Sequence, residues 1–402
     1  MEQDLLREIA EGYLRPLFSG SWLADAPPST PKERRVARLD ARSLAFKVDG
    51  SDRYRLVLRR GEKFGVTAEQ IVKSFVDVVR EIEPALSTAF EADVLRTLQR
   101  KVLSRAIAGG DMKDPILMGI DWLEGWADRP YEGRSVATAL GFDRQALGAD
   151  LTLEELFSLE FSAVLSNGID TMVWVDENGR VAGHECLRTP EKSPSFAPYS
   201  HAAFAFWAAE GRVALVLTPK GEILVFRDSQ LLFAKRSGRW HFLTHRPIVT
   251  RMPAPRSVAV RQAIYESCLD ASFADGGACI GVVMSEHQHT WEKVVMRHDR
   301  LGDRSSLKAR ALELLIAGKS FAELDRRFRL ELLSIDGALV LNHRGKVLAV
   351  GAILKIPGGS TGGGRLAAAR VLASLGLGIK VSQDGSITCF RGMEARRVFS
   401  LM

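Results

Sequence analysis

Residues Leu332–Phe390 read LLSIDGALVLNHRGKVLAVGAILKIPGGSTGGGRLAAARVLASLGLGIKVSQDGSITCF. An acidic residue stands in a strand-edge turn, Ser334-Ile335-Asp336-Gly337-Ala338. Two apolar runs follow, separated by the turn His343-Arg344-Gly345-Lys346, then a Gly-rich loop opening onto an Arg-bearing helix, then a closing hairpin. Strands and a helix following one another in this way place the stretch in a mixed α/β class.

An Asp before Gly-Ala at the mouth of a buried strand can bind a divalent ion or a sugar hydroxyl, and Gly337 and Ala338 leave a ligand room near the backbone. The same tripeptide also reads as an ordinary turn. Gly358-Gly359-Ser360-Thr361-Gly362-Gly363-Gly364-Arg365, ahead of Leu366-Ala367-Ala368-Ala369-Arg370, would present backbone N–H groups beside a positive helix end, with the Arg365 fork added. It lacks the Lys-Ser/Thr of a P-loop, and a flexible linker is the other reading.

The remaining composition sets bounds. At 402 residues, 46% hydrophobic and 26% charged, the chain has the make-up of a globular protein with room for two or three domains. Cys186, Cys268, Cys279 and Cys389 form no CxxC pair, which signals neither a zinc site nor a disulfide framework, and a reduced cytoplasmic protein is expected. The acidic start Met-Glu-Gln-Asp does not suit a signal peptide. The apolar region from His201 to Leu217 is interrupted by Glu210 and Arg212, so no membrane segment is expected. Nine basic residues against two acidic ones between Val340 and Met402 give a local +7, beside a net charge of +6 for the whole chain. Such a basic pole suits an anionic partner, and equally an ordinary solvated face.

Along the chain, residues 1–150 read as an α-rich N-terminal region without a functional motif. It holds a hairpin at 44–59 turning on Asp49-Gly50-Ser51-Asp52, a helix from Thr67 with Gln70 as a capping box, and a helix from about Thr88 to Ala108 ending at Gly109-Gly110. An irregular stretch containing Trp122 and Trp126 follows. The charge run Lys32–Arg42 reads as a solvated connector. Residues 151–252 open with a second capping box, Thr152 with Glu155. Three hairpins follow, at 171–184, 213–226 and 230–243, which predicts an antiparallel sheet. His201, His241 and His245 lack ligand spacing. His287, His289 and His298 invite a metal reading, though the stretch is too polar to be a confident strand. Helices are predicted over 258–272, 306–317 and 320–330, and a buried strand over 278–284.

In order, the Gly276-Gly277-Ala278 strand, two helices, Asp336-Gly337-Ala338, Val350-Gly351-Ala352, Pro357, Gly364-Arg365 before Ala-Ala, then Val381-Ser382 and Gly385-Ser386-Ile387 resemble the diadenylate cyclase domain of the DisA type. The likeness spans residues 256–395, about a third of the chain. The resemblance implies a nucleotide-binding domain built on a mixed sheet flanked by helices, in which Asp336 holds Mg2+ or Mn2+ and activates a ribose 3'-hydroxyl, Gly337 and Ala338 line base and ribose, Gly364 and Arg365 meet phosphates, and Ser382 lies by the nucleotide. Activity in that family also requires two domains face to face, which would make the protein a homo-oligomer.

Departures from the pattern bear on catalysis. The family's Arg-His-Arg reads Arg365-Leu366-Ala367, its Gly-Thr ends in Gly364, and its Ser-Glu reads Ser382-Gln383. Phosphoryl transfer depends on positioning and charge neutralisation, so losing a His, an Arg and a carboxylate is expected to cost several kcal/mol of transition-state stabilisation. The expectation is a mixed α+β protein whose C-terminal domain binds ATP or a cyclic or modified nucleotide without making one. In this it resembles the inactive sensor offshoots of the family associated with bacterial nucleotide signalling and conflict systems. An active cyclase, with Asp336 catalytic, is the alternative, and a nucleic-acid-binding protein stands third.

Overall fold

A computed structural model describes residues 3–27, 34–48, 56–86, 91–108, 112–274, 276–356 and 363–402. The chain is of mixed α+β class and divides into two compact units: residues 1–192 with 203–243, and residues 193–202 with 244–402.

The first unit begins with α1 (Gln3–Ile9), continued by π and 3-10 turns to Leu17. Strands β1 (Trp22–Asp25), β2 (Val36–Asp40), β3 (Ser43–Phe46) and β4 (Leu56–Arg59) form an antiparallel sheet in the order β1-β4-β3-β2. The expected 44–59 hairpin is the β3–β4 pair, its turn lying outside the described residues. The region is therefore not simply α-rich. Helix α2 (Val66–Ile82) buries Ile71, Phe75, Val78 and Val79. It starts one residue before Thr67 with Gly65 as its cap and no side-chain cap bond, so the expected Thr67–Gln70 box does not form.

After α3 (Glu91–Ala108) comes α4 (Lys113–Ala127), a fifteen-residue helix where the sequence reading expected irregular chain. Pro115 falls in its first turn, where a missing N–H costs nothing. Gly119 lets α4 close on the sheet, since a Cβ there would meet Phe142 Cζ at 2.9 Å.

A small ribbon, β5 (Pro130–Tyr131) with β6 (Arg134–Ser135), leads to β7 (Thr138–Phe142), α5 (Leu153–Phe157), β8 (Thr171–Val175), β9 (Val181–Cys186), α6 (Ala202–Trp207, which straddles the unit boundary), β10 (Val213–Leu217), β11 (Ile223–Arg227), β12 (Gln230–Arg236) and β13 (Arg239–Phe242). The three expected hairpins are β8–β9, β10–β11 and β12–β13, in one sheet of order β13-β12-β11-β10-β7-β8-β9. Two corrections apply. The sheet is mixed, because β7 and β8 are parallel. It also crosses the expected boundary at residue 150, because β7 lies at its centre between β8 and β10. The Thr152–Glu155 box is formed at the start of α5, Glu155 N donating to Thr152 Oγ1 at 3.2 Å and Thr152 N to Glu155 Oε2 at 2.8 Å.

The second unit holds α7 (His245–Arg251), α8 (Val258–Phe273), β14 (Ala278–Val283), α9 (Trp291–Val294), α10 (Leu307–Ile316), α11 (Arg326–Ser334), β15 (Ala338–Asn342), β16 (Val347–Ala352), α12 (Gly364–Ser374), β17 (Gly376–Val381), β18 (Ile387–Arg391) and β19 (Arg396–Leu401). The sheet order is β16-β15-β14-β17-β18-β19. Strands β14 and β15 are parallel, and every other pair is antiparallel. The buried run Ala278–Val283 takes the interior position that its apolar sequence predicts. The expected 320–330 helix resolves into two pieces. Ser320 N and Oγ donate to Glu323 Oε2 at 2.8 and 2.7 Å over a 3-10 turn, and α11 begins only after its own cap, Asp325.

Two glycines set how α12 lies on the sheet. Gly281 and Gly378 are partners in register on β14 and β17. A Cβ on Gly281 would meet Leu372 Cδ2 at 2.6 Å, and one on Gly378 would meet the Ala369 carbonyl oxygen at 1.7 Å. The helix therefore rests directly on bare backbone. The opposite face, carrying Ile280, Ile379 and Cys389, is covered by α8, which is tied to the β17–β18 turn by Ser272 Oγ donating to the Gly385 carbonyl at 2.6 Å.

Candidate functional site

The residues singled out in the sequence come from five separate segments, and the sheet brings four of them to one end. Parallel pairing of Cys279 with Ala338 sets the starts of β14 and β15 side by side, so Gly276-Gly277 and Asp336-Gly337 are neighbours. Antiparallel pairing of Ala278 with Val381 adds Ser382, and that of Ala338 with Ala352 adds the end of β16.

Arg365 reaches the same edge through α12. Leu372 lies over Gly281 and Arg365 over Gly277, where a Cβ would come within 2.1 Å of Arg365 Nη1. The guanidinium thus occupies the space that glycine leaves. It lies near enough to Cys279 to pull that thiol down, although burial dominates and pushes it up to about 12. Cys279 is accordingly a packed thiol rather than a nucleophile. Among the described residues the Arg365 side chain has no hydrogen-bond or ion-pair partner, and neither does the exposed Asp336 carboxylate.

The turn carrying Asp336 is held from below. Gly337 has φ +111°, and a Cβ on it would meet the Gly351 carbonyl carbon at 2.4 Å. Gly351 has φ +56°, and a Cβ there would lie 2.8 Å from the Asp336 carbonyl oxygen. Only glycine fits either position, and the two backbones touch. Lys308 on α10, which sequence reasoning passed over, locks this contact. Its Nζ donates to the Gly351 carbonyl at 2.7 Å and to Asp299 Oδ1 at 2.8 Å, while Asp299 Oδ2 accepts from Ile353 N at 2.9 Å. A lysine early in a helix carries no sequence signal for this role.

Of the expected residues, Ala338 is buried at the start of β15, and Gly364 opens α12 behind Gly363 at φ +93°. Ser382 N donates to the Ser386 carbonyl at 2.9 Å, which closes the β17–β18 turn. Pro357 and Gly358–Gly362 lie outside the described residues. Leu366 packs against the core cluster under α12 and Ala367 is buried, and both are apolar, so neither could supply the polar contacts absent from their sequence. No group of three or more His, Cys, Asp or Glu side chains among the described residues could hold a metal ion, and His287, His289 and His298 form no such group. Asp336 therefore fits Mg2+ or Mn2+ only as one ligand among nucleotide phosphate oxygens and water.

Two cavities in this unit, of about 470 and 510 Å3, lie at the other end of the sheet, by the β15–β16 turn and the β18–β19 turn, and a third, of about 540 Å3, is lined by residues between Trp291 and Ser305. No described helix is long and apolar enough to cross a membrane. No family model matches the chain, and no curated protein matches it. The resemblance to diadenylate cyclases rests on the residues quoted for it.

Proposed function

We propose that the second unit binds a nucleotide or nucleotide-derived signal at the edge formed by Asp336, Gly337, Ala338, Gly364, Arg365 and Ser382, and does not convert it. The observation that carries this reading is the convergence at one sheet end of a carboxylate and a guanidinium from segments far apart in sequence, neither with a partner among the described residues, with glycine backbone between them. A guanidinium without a partner among the described residues suits a phosphate, and bare backbone suits close approach of a ribose or base. Leu366 and Ala367, turned into packing, leave Arg365 as the one cation of the family's three-residue clamp, which favours recognition over phosphoryl transfer.

Thermal stabilisation across mono-, di- and cyclic nucleotides tests the reading, because a ligand bound only by the native state raises its melting temperature. At least one nucleotide should do so, and Asp336→Asn or Arg365→Gln should weaken it about tenfold or more. No shift with any member of the panel would end the proposal. Incubation with ATP and Mn2+ separates the alternative: a cyclic dinucleotide product, abolished in Asp336→Asn, would make the protein a cyclase.

A further inference from the structure

The second unit carries another constellation that this reading does not use, at the opposite end of the β14–β15 pair. The strands' carboxyl ends, the turn after β15 and the segment entering α8 enclose a cavity of about 470 Å3 lined by Pro253, Ala254, Arg256, Ser257, Met284, Ser285, His343 and Arg344. From Asp336 to His343 the chain runs along β15, which separates the two places by about 20 Å. A volume of this order suits a small organic molecule.

The lining divides into two kinds of surface. Pro253, Ala254 and Met284 make an apolar wall. Arg256, Arg344 and His343 bring two fixed positive charges and an imidazole from two segments far apart in sequence, and none of the three side chains has a hydrogen-bond or ion-pair partner among the described residues. Ser257 takes the Val260 N–H on its oxygen at 3.4 Å, which leaves its hydroxyl proton to donate. The nearby acid is Glu286, whose Oε2 accepts from Ser285 Oγ at 3.3 Å. No carboxylate lines the cavity to neutralise the arginines. Unsatisfied guanidinium forks around a hollow match a phosphate group, and the apolar wall matches a carbon skeleton attached to it.

We propose that this cavity is a second ligand site, taking a small phosphate monoester with its phosphate between Arg256 and Arg344 and its organic part against Pro253 and Met284. The position accords with ligand binding at the carboxyl ends of parallel strands.

Calorimetric titration of the full chain with phenyl phosphate, and separately with inorganic phosphate, tests it. Phenyl phosphate is expected to bind, and to bind several-fold more tightly than inorganic phosphate. The double variant Arg256→Gln/Arg344→Gln should weaken it at least tenfold with an unchanged melting temperature, since both arginines are exposed. Arg365→Gln at the other edge should leave it untouched, which separates this site from the proposed nucleotide site. Absence of binding near 1 mM, affinity unaltered in the double variant, or loss in Arg365→Gln alone would each overturn the proposal. Equal affinity for the two probes would remove the organic subsite and with it the assignment of a monoester.

Discussion

Replacing Asp270 or Arg326 should loosen the second unit more than any surface change, and the size of the effect follows from the contacts. Asp270 on α8 and Arg326 on α11 form a bidentate pair, Nε to Oδ2 at 2.8 Å and Nη2 to Oδ1 at 2.7 Å, with side chains 1% and 10% exposed. Asp270 Oδ1 also accepts the Tyr199 N–H at 2.7 Å, and Arg326 donates to the Pro194 and Ala197 carbonyls at 2.9 and 2.6 Å. Burial pushes the Asp270 carboxyl up against the opposing pull of Arg326, so desolvation consumes much of what the pairing returns. The pair is therefore of modest net value while intact, yet costly to break from one side. Asp270→Asn leaves a buried guanidinium uncompensated, at about 3–5 kcal/mol. Arg326→Met should cost about the same and also free the 193–202 segment. For a unit of this size the loss corresponds to a fall in melting temperature of about 6–20 °C. Urea unfolding followed at Trp291, the one tryptophan in 244–402, gives the free energies, and chymotrypsin should cut Arg326→Met at Phe196 or Tyr199. The double variant should cost clearly less than the two singles combined. Single variants costing under about 1 kcal/mol, or a coupling energy near zero, would refute the assignment.

Two further outcomes are expected. Burial holds the His201 imidazole down at about 4, against about 6.5 in the unfolded chain. Its contribution is thus fully present above pH 6.5 and is lost as pH falls toward 4. Lowering the pH from 7 to 5 should cost roughly 2 kcal/mol through this group. His201→Gln should flatten that dependence in urea titrations, and an unchanged slope would show that the ring is not shielded. Gly378→Ala sets a methyl against the Ala369 carbonyl and should destabilise by about 3 kcal/mol or more, whereas Gly281→Ala meets the movable end of Leu372 and should cost about 1–3 kcal/mol. Thermal melts giving the reverse order would mean that α12 does not rest on β17.

Local chemistry accounts for what was legible. The β8–β9, β10–β11 and β12–β13 hairpins follow from period-two patterns around Gly-containing turns, and Ser306 caps α10 as its position before an apolar-periodic run predicts. What failed had long-range causes. Helix α4 was hidden because the stretch around Trp122 and Trp126 carries several Gly and Pro residues, yet one of them, Gly119, is required by the approach of Phe142, a residue of β7. The boundary expected at residue 150 failed for a related reason, since β7 is bonded to two strands that come later in the chain.

The candidate site divides along the same line. Asp336, Gly337 and Ala338 could be picked out because an acid before two small residues at a strand entrance is a local pattern. Arg365 could be named from its loop but not placed, since its position depends on two glycines, Gly281 and Gly378, that let α12 settle until the guanidinium covers Gly277. Read in sequence, Gly277 is a spacer before a strand. In the fold it is the seat of the guanidinium brought to the edge that carries Asp336-Gly337. The glycines of this unit thus serve two ends: Gly337 and Gly351 shape the acidic turn, while Gly277, Gly281 and Gly378 carry the basic side chain to it. A ligand with a phosphate and a polar ring would be met by both, and enlarging Gly281 or Gly378 should impair recognition without removing a polar side chain.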